Sequence, residues 1–274
     1  MDFVDQWLQA CARNRSRLCL GLDPEPERLP APWTRDASRL CDFCAAVVDA
    51  TADLVCAYKP QIAHFAAVGA EAQLEKLIRY IHDRAPGVPV ILDAKRGDIG
   101  STARHYAREA FSRYAADAVT VSPFLGLDSL LPYMEAYPER GLFVLCRTSN
   151  PGGDDLQGLE LRADGAAPQR LFERVAQLAA GPWNRHGQLG LVAGATRPQD
   201  IVAVRAVAPR LPLLIPGVGA QGGDLRATVQ AAGDRFLINA SRSVLYAGEG
   251  RDFASAARAE AQRLRDAIAA LAPI

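Results

Sequence analysis

The chain has 274 residues, of which 49% are apolar and 23% are charged. These proportions are typical of a globular protein with a full-sized core, and they exclude disordered, collagen-like and coiled-coil chains. Thirty-one basic residues balance 31 acidic ones, so no net field draws the chain to nucleic acid or to an anionic membrane, and any bound anion must be held by local groups.

The predicted elements alternate between short strands and amphipathic helices along the whole chain. A first helix is predicted at 5–17. Short apolar runs, each bounded by Gly, Pro or a charged residue, are predicted as strands at 18–22, 54–59, 89–93, 118–121, 142–146, 189–194, 212–216 and 235–239. Between and after them, helical spacing of apolar residues recurs at 70–84, 102–116, 169–183 and 253–271.

Eight strand–helix units predict an α/β fold with a parallel sheet covered by helices, and eight strands are what a closed (β/α)8 TIM barrel requires. We therefore predict a single barrel domain over residues 1–274, with an extra N-terminal helix covering its bottom or flank. An open, doubly wound sheet is the alternative. In a barrel, reactive groups lie where strands end and the following loops begin. The longest irregular segment, 148–170, follows the fifth strand, and loops of this length are usually lids or partner contacts.

The N-terminal region and the cysteines favour a cytoplasmic protein. Acidic residues stand where a signal peptide needs an apolar stretch, and no apolar run is long enough to span a bilayer. Six cysteines are too sparse for a disulfide scaffold. Cys41 and Cys44 form a CxxC on a predicted helix, without a second CxxC or a histidine pair nearby. Two buried thiols on one helix face therefore explain the motif better than a metal or redox site.

Charged residues end the first three predicted strands. Asp93 and Lys95, two residues apart in DAKRGD, point to the same face of a regular strand, and Asp98 follows in the loop. Asp23 ends the first strand and Lys59 the second. A purely structural ion-pair network is the alternative, but such networks are seldom net stabilising. The pattern therefore favours a reactive cluster of alternating carboxylates and ammonium groups.

A phosphate site is predicted at the last two strands. The segment PGVGAQGG follows the seventh strand and Arg242 follows the eighth, where barrels bind phosphate groups. Arginine binds the anion bidentately, and glycines expose backbone N–H groups. The segment also matches the dinucleotide pattern GxGxxG, but that pattern belongs on the first βα unit with an acidic residue about 20 positions later. Here the segment lies on the seventh unit and the residue at that distance is Arg242, which is basic, so the sequence disfavours a dinucleotide site.

With these motifs the sequence resembles the orotidine 5'-monophosphate decarboxylases, in particular their longer bacterial subgroup. The matching segments extend over the whole chain in the family's order. They are GLDP, AYKPQ, DAKRGDIGSTA, TSNPGG, GATRP, PGVGAQGGD and NASRSVLYA. DAKRGDIGSTA is specific to the family, and the glycine-rich segment is moderately so. NASRS departs from the common pattern, in which a glycine often precedes the arginine.

The resemblance implies loss of CO2 from orotidine monophosphate to give UMP, the last step of de novo pyrimidine synthesis, with no cofactor and no metal. Lys95 would donate the proton to C6, and Asp93 would lie against the departing carboxylate. Lys59 and Asp98 would complete the network that orients Lys95. Asp98 and Thr102 match residues that reach into the neighbouring subunit's site, which implies a homodimer with shared active sites.

The remaining implied residues bind substrate. Asp23 and Lys59 match residues that contact the ribose hydroxyls. Ser149 matches the serine that bonds the pyrimidine and helps to close the lid. The residues expected at the phosphate are Gly217, Gly219, Gln221, Ser241 and Arg242.

Three other functions fit parts of the pattern. Metal-dependent sugar-phosphate decarboxylases and synthases share the barrel and the DxKxxD spacing, but they need a carboxylate after strand two, where this chain has Lys59. A Schiff-base aldolase needs a lysine of lowered pKa, whereas Lys59 and Lys95 have acidic neighbours. If the chain were a non-enzymatic binding protein built on an inactive barrel, we would expect residues of the charged cluster to be missing, and none is. The four histidines are scattered and receive no role.

Overall fold

The computed structural model describes residues 1–31, 33–162, 168–218 and 222–274. In these residues, eight parallel strands form one sheet in the order β2–β1–β8–β7–β6–β5–β4–β3. They are β1 (Leu18–Leu22), β2 (Ala57–Pro60), β3 (Ile91–Arg96), β4 (Ala118–Val121), β5 (Gly141–Arg147), β6 (Leu189–Ala193), β7 (Leu213–Pro216) and β8 (Phe236–Ala240). Parallel bridges Tyr58–Val90 and Gln61–Asp93 join β2 to β3 and complete the ring. The predicted barrel is confirmed, and the open sheet is wrong.

Helices cover the outside of the barrel because each turns one apolar face toward the strands. In the described residues they are α1 (Phe3–Asn14), α2 (Leu40–Thr51), α3 (Ile62–Ala66), α4 (Glu71–Arg84), α5 (Gly100–Arg108), α6 (Leu131–Ala136), α7 (Leu171–Ala180), α8 (Pro198–Val207), α9 (Leu225–Ala232), α10 (Arg242–Leu245) and α11 (Phe253–Leu271). In α4 the buried residues are Leu74, Leu77, Ile78 and Ile81, which recur at helical spacing.

The extra N-terminal helix closes the bottom of the barrel. Phe3, Trp7 and Cys11 lie four residues apart on one face of α1 and pack on the apolar barrel floor. The Phe3 ring meets Phe143 of β5 edge-on, with 5.6 Å between the ring centroids. A Cβ at Gly141 would lie 2.4 Å from the Phe3 ring, so β5 begins with a glycine where the helix docks.

Besides shifts of a few residues at the ends of other elements, such as the first helix at Phe3–Asn14 and not 5–17, two segments contain structure that the sequence does not predict. The helix predicted at 102–116 begins earlier, at Gly100, and widens into a π-helical turn at Glu109–Arg113. The segment predicted as irregular, 148–170, contains a 3-10 turn at Pro151–Asp155 and an antiparallel two-stranded ribbon, Glu160–Leu161 with Gln169–Arg170. Strands of two residues are too short to show any alternation in the sequence.

The cysteines behave as small apolar side chains. All six are free and buried. Burial raises the pKa of the Cys41 and Cys44 thiols on α2 above the ordinary value, as expected for core residues. Across the described ranges, no group of three or more His, Cys, Asp or Glu residues is placed to hold a metal ion. No helix in the same ranges has the length and apolarity needed to cross a membrane.

Candidate active site

The charged cluster forms because alternate residues of each strand face the inside of the barrel. On β2, Ala57 packs in the apolar floor, and Lys59, two residues further on, lines the cavity at the mouth. On β3, Ile91 and Asp93 repeat this arrangement. These two strands therefore place an apolar residue at the bottom of the barrel and a charged residue at the mouth.

Asp93 is the centre of the cluster. Its Oδ2 lies 2.7 Å from Nζ of Lys59 and its Oδ1 lies 2.6 Å from Nζ of Lys95. Lys59 is 4% exposed and Asp93 is 7% exposed, whereas the Lys95 side chain is 47% exposed at the cavity. The two ammonium groups are thus held by one carboxylate, and the more accessible of them is Lys95.

The pKa values show that Asp93 and Lys59 stay charged. Burial alone would raise the pKa of Asp93, but the charges of Lys59 and Lys95 lower it below the ordinary range. Burial would likewise lower the pKa of Lys59, but the carboxylates of Asp93 and Asp23 raise it. A lysine with a raised pKa is a poor imine former, which disfavours a Schiff-base role for Lys59.

A bulge in β3 brings Asp93 and Lys95 together. The register with β4 passes from Leu92–Val119 to Arg96–Val121, so three residues of β3 occupy the space of one on β4. Lys95 has a φ of 49°, a left-handed conformation that costs about 1–2 kcal/mol for a residue with a side chain. The two side chains converge as predicted, but through this bulge and not through regular alternation.

Two cavities meet at the cluster. The first, of about 340 Å³, has one charged wall and one apolar wall, and its lining includes Lys59, Asp93, Lys95, Thr120, Leu145, Ser149, Val192 and Leu214. The second, of about 230 Å³, is mainly polar, and its lining includes Asp23, Lys59, Asp93, Lys95, Gly217, Asn239, Ser241 and Arg242. An elongated ligand with an apolar ring and an anionic end fits this division.

Ser149 reaches the first cavity on the loop after β5. A Cβ at Gly194 would lie 2.7 Å from Cα of Ser149, so this close approach of the two loops requires glycine. Thr196 donates a hydrogen bond to the Ser149 carbonyl at 3.1 Å. The position of Ser149 therefore depends on the loop after β6 as well as on its own.

A buried ionic network holds the base of the same loop. Arg147, 3% exposed at the end of β5, donates to Asp200 of α8 at 2.7 Å and also to Asp154 of the loop. Arg197 is a second donor to Asp154. Neither Arg147 nor Asp154 is indicated by the sequence motifs, because Asp200 and Arg197, which bond to Arg147 and Asp154 respectively, belong to the following βα unit.

The second cavity contains the residues predicted at the phosphate and the ribose. Gly217, with a φ of 98°, Ser241 and Arg242 all line it. A Cβ at Gly21 of β1 would lie 1.9 Å from Oγ of Ser241, so the glycine makes room for this serine. Asp23 also lines it, and its buried Oδ1 has no hydrogen-bond partner within the described residues. The predicted Gly219 and Gln221 lie outside the described residues.

The structure of one chain does not bring Asp98 or Thr102 to the cluster. The Asp98 carboxylate accepts the Ile99 backbone N–H at 2.8 Å, and Thr102 is exposed on α5. Neither residue lines the two cavities. Around them the loops after β3 and β4 expose apolar side chains, with Ile99 53% and Phe124 80% accessible.

The sequence motifs do not indicate Thr120 of β4, which lies in the wall of the first cavity. Its side chain is 1% exposed and donates to Asp93 at 2.9 Å. The available signal is positional, because Thr120 is two residues after Ala118, a residue of the barrel floor, and so faces inward at the level of Asp93.

These features define a (β/α)8-barrel enzyme whose active site lies at the carboxyl ends of its strands. The family model described as "Orotidine 5'-phosphate decarboxylase / HUMPS family" matches residues 16–257. The chain belongs to this family of orotidine 5'-phosphate decarboxylases.

Relatives and solved structures are similar over the full chain. Proteins named orotidine 5'-phosphate decarboxylase from Verminephrobacter eiseniae and Delftia acidovorans are each 63% identical, over 97% and 98% of both chains. The structure of Leishmania donovani OMP decarboxylase is 41% identical, with a TM-score of 0.85 and 99% of both chains covered. Leishmania donovani UMP synthase is 42% identical with a TM-score of 0.86, and the match covers 99% of this chain but 56% of that longer one.

Proposed function

We propose that this chain removes CO2 from orotidine 5'-monophosphate to give UMP in pyrimidine biosynthesis, using neither metal nor cofactor. The observation that carries the proposal is the Lys59–Asp93–Lys95 cluster at the junction of an apolar-walled and a polar cavity. Membership of the decarboxylase family supports the choice of substrate.

The substrate is an elongated molecule that matches the two cavities. The pyrimidine would occupy the first cavity, against its apolar wall and near Ser149. The ribose phosphate would occupy the second, with its hydroxyls at Asp23 and Lys59 and its phosphate at Arg242, Gly217 and Ser241. Gly219 and Gln221 are assigned to the phosphate site because they match the family motif. In this orientation C6 of the ring faces the charged cluster.

The reaction breaks the bond between C6 and the carboxylate, and the electron pair stays on C6 as a vinyl carbanion. No π system delocalises that pair, so the enzyme has to lower the barrier by about 20 kcal/mol or more through positioning and electrostatics. Lys95 faces the developing charge with its ammonium group and then transfers a proton from Nζ to C6. Its accessible position at the cavity suits both steps.

Asp93 acts on the departing carboxylate. Two like charges at about 4 Å repel by roughly 4 kcal/mol at an effective dielectric of 20, and the repulsion disappears as neutral CO2 leaves. Lys59 keeps Asp93 ionised from the side away from solvent, at 2.7 Å. The two lysines thus keep Asp93 ionised, so that it repels the substrate carboxylate, whereas burial alone would favour its protonated form.

A spectrophotometric assay with orotidine 5'-monophosphate, run with EDTA present, tests the proposal. We expect the wild type to form UMP under these conditions. Lys95→Ala should abolish turnover while UMP binding stays measurable by calorimetry, because the phosphate and ribose contacts remain. Activity that requires an added divalent cation would instead indicate metal-dependent chemistry on a sugar phosphate, and turnover by Lys95→Ala would refute its role as proton donor.

The active enzyme in this proposal is a homodimer, in which Asp98 and Thr102 of each subunit complete the partner's site and help to orient Lys95. Their position outside the cavities of their own chain, beside exposed Ile99 and Phe124, supports it. Mixing inactive Asp98→Ala and Lys95→Ala subunits should restore partial activity, since one hybrid site then carries both intact residues. Confirmed subunit exchange without recovery would contradict shared sites.

A single catalytic domain over residues 1–274 and a cytoplasmic location complete the proposal. The six free, buried thiols fit a reducing compartment. Localisation of a tagged full-length chain by cell fractionation tests the second point.

A further inference from the structure

Thr120 uses its whole hydrogen-bonding capacity on the catalytic strand. Its hydroxyl donates to Oδ1 of Asp93 at 2.9 Å, the same oxygen that accepts from Nζ of Lys95 at 2.6 Å. It also accepts the backbone N–H groups of Ala94 and Lys95, at 3.0 Å each. A hydroxyl has one proton and two acceptor sites, so every one of them is committed to residues 93–95.

The two N–H groups belong to the bulge of β3. Asp93, Ala94 and Lys95 lie opposite Thr120, between the paired positions Leu92–Val119 and Arg96–Val121. The Thr120 hydroxyl replaces the carbonyl that a regular ladder would offer to these donors, and Lys95 is held at a φ of 49° in the process. The buried hydroxyl oxygen of Thr120 therefore bonds both to the strained backbone of Lys95 and to the Asp93 carboxylate, which accepts a hydrogen bond from the Lys95 side chain.

We propose that Thr120 is a positioning residue for decarboxylation, which fixes the bulge of β3 so that Lys95 and Asp93 face C6 of the substrate in a constant geometry. The inference rests on the proposed function. It assigns the role to the hydroxyl and not to the bulk of the side chain, because the hydroxyl alone makes the three contacts.

The hydroxyl can be removed at nearly constant shape. Thr120→Val removes the acceptor of two partly buried N–H groups and one donor to Asp93, so we expect kcat to fall by about 10- to 100-fold. The dissociation constant of UMP should stay within about threefold, since the phosphate and ribose contacts are untouched. Thr120→Ser keeps the hydroxyl and should restore kcat to within about threefold of the wild type. Thr120→Cys, whose thiol is a weak donor and acceptor, should be intermediate and serves if the valine variant does not fold.

Thr51→Val is the matched control. Thr51 is also fully buried, and its hydroxyl bonds to the Val47 carbonyl at 2.7 Å and to the Tyr58 hydroxyl at 2.9 Å, on α2 outside the barrel. We expect this variant to lose thermal stability but to keep the wild-type kcat. A difference between the two valine variants in kcat then reports on the site and not on a general loss of stability.

Crystal structures of the wild type and Thr120→Val provide a readout that does not depend on activity. In the variant we expect the bulge to relax, with Lys95 leaving the positive-φ region and its Nζ moving away from Asp93. The inference is overturned if Thr120→Val keeps kcat within twofold, if Thr120→Ser is as impaired as Thr120→Val, or if the bulge is unchanged in the variant. An inactive wild type would refute the proposed function instead, and the two structures would still decide whether Thr120 holds the bulge.

Discussion

The ion pair between Lys59 and Asp93 should behave as one energetic unit, which the substitution Lys59→Met can test. The two charged atoms are 2.7 Å apart, and at an effective dielectric of 20 their attraction is about 6 kcal/mol before desolvation is subtracted. Lys59→Met keeps the length of the side chain but leaves Asp93 buried with one cationic partner. Removing one member of a buried pair costs about 3–5 kcal/mol, and we expect a loss of unfolding free energy in that range.

Urea unfolding at pH 7, followed by tryptophan fluorescence, measures the effect in a double-mutant cycle. Asp93→Asn should also destabilise the chain, but the double variant should lose at least about 2 kcal/mol less than the sum of the single losses, because it leaves neither of the two buried charges without the other, and Lys95 is partly exposed to solvent. Lys76→Met, at an exposed position on α4, is the control and should change stability by less than about 0.5 kcal/mol. Additive losses within about 0.5 kcal/mol would refute the reasoning, and so would a Lys59→Met loss below about 1 kcal/mol.

Three further outcomes follow from the site. Gly194→Ala places a Cβ about 2.7 Å from Ser149 and should raise KM by about tenfold or more by displacing the loop, as measured by steady-state kinetics; an unchanged KM would contradict that contact. Arg242→Ala should lower kcat/KM by at least about tenfold, and Arg242→Lys should recover only part of it, since lysine lacks the bidentate geometry; full recovery would argue against a bidentate grip. The folded pKa of Asp93 lies below its unfolded value of about 3.9, so its charge stabilises the fold above about pH 4 and that contribution is lost as the pH falls further. The difference in Tm between wild type and Asp93→Asn should accordingly shrink below pH 4, and a constant difference would show that the carboxylate is not the source.

The fold could be predicted because each strand is a continuous apolar run between strong breakers. The predicted strands 18–22 and 118–121 and the predicted helix 253–271 have the bounds that the structure gives them. Parallel strands buried on both faces carry few polar residues, so a charge at a strand end is conspicuous in the sequence. Asp93 and Lys59 were identifiable for that reason, and their pairing follows from the closure of the barrel.

Other parts of the site depend on contacts between strands, which one strand's sequence does not record. The bulge that orients Lys95 is a property of the register between β3 and β4. Thr120 lies in the run AVTV, where threonine, a good strand former, is indistinguishable from a packing residue. The surroundings of Asp98 and Thr102 belong to a second subunit in our proposal, so a single chain leaves them at its surface.

The seam between β2 and β3 is held differently from the rest of the barrel. Within the described residues, isolated bridges at Tyr58–Val90 and Gln61–Asp93 join these two strands, whereas the other neighbouring strands share ladders. The Lys59–Asp93 pair spans this seam at its upper end. On heating, the barrel should open first between β2 and β3, which would separate Lys59 from Asp93 before the helices unfold. Heat should therefore inactivate the enzyme at a lower temperature than it unfolds the chain.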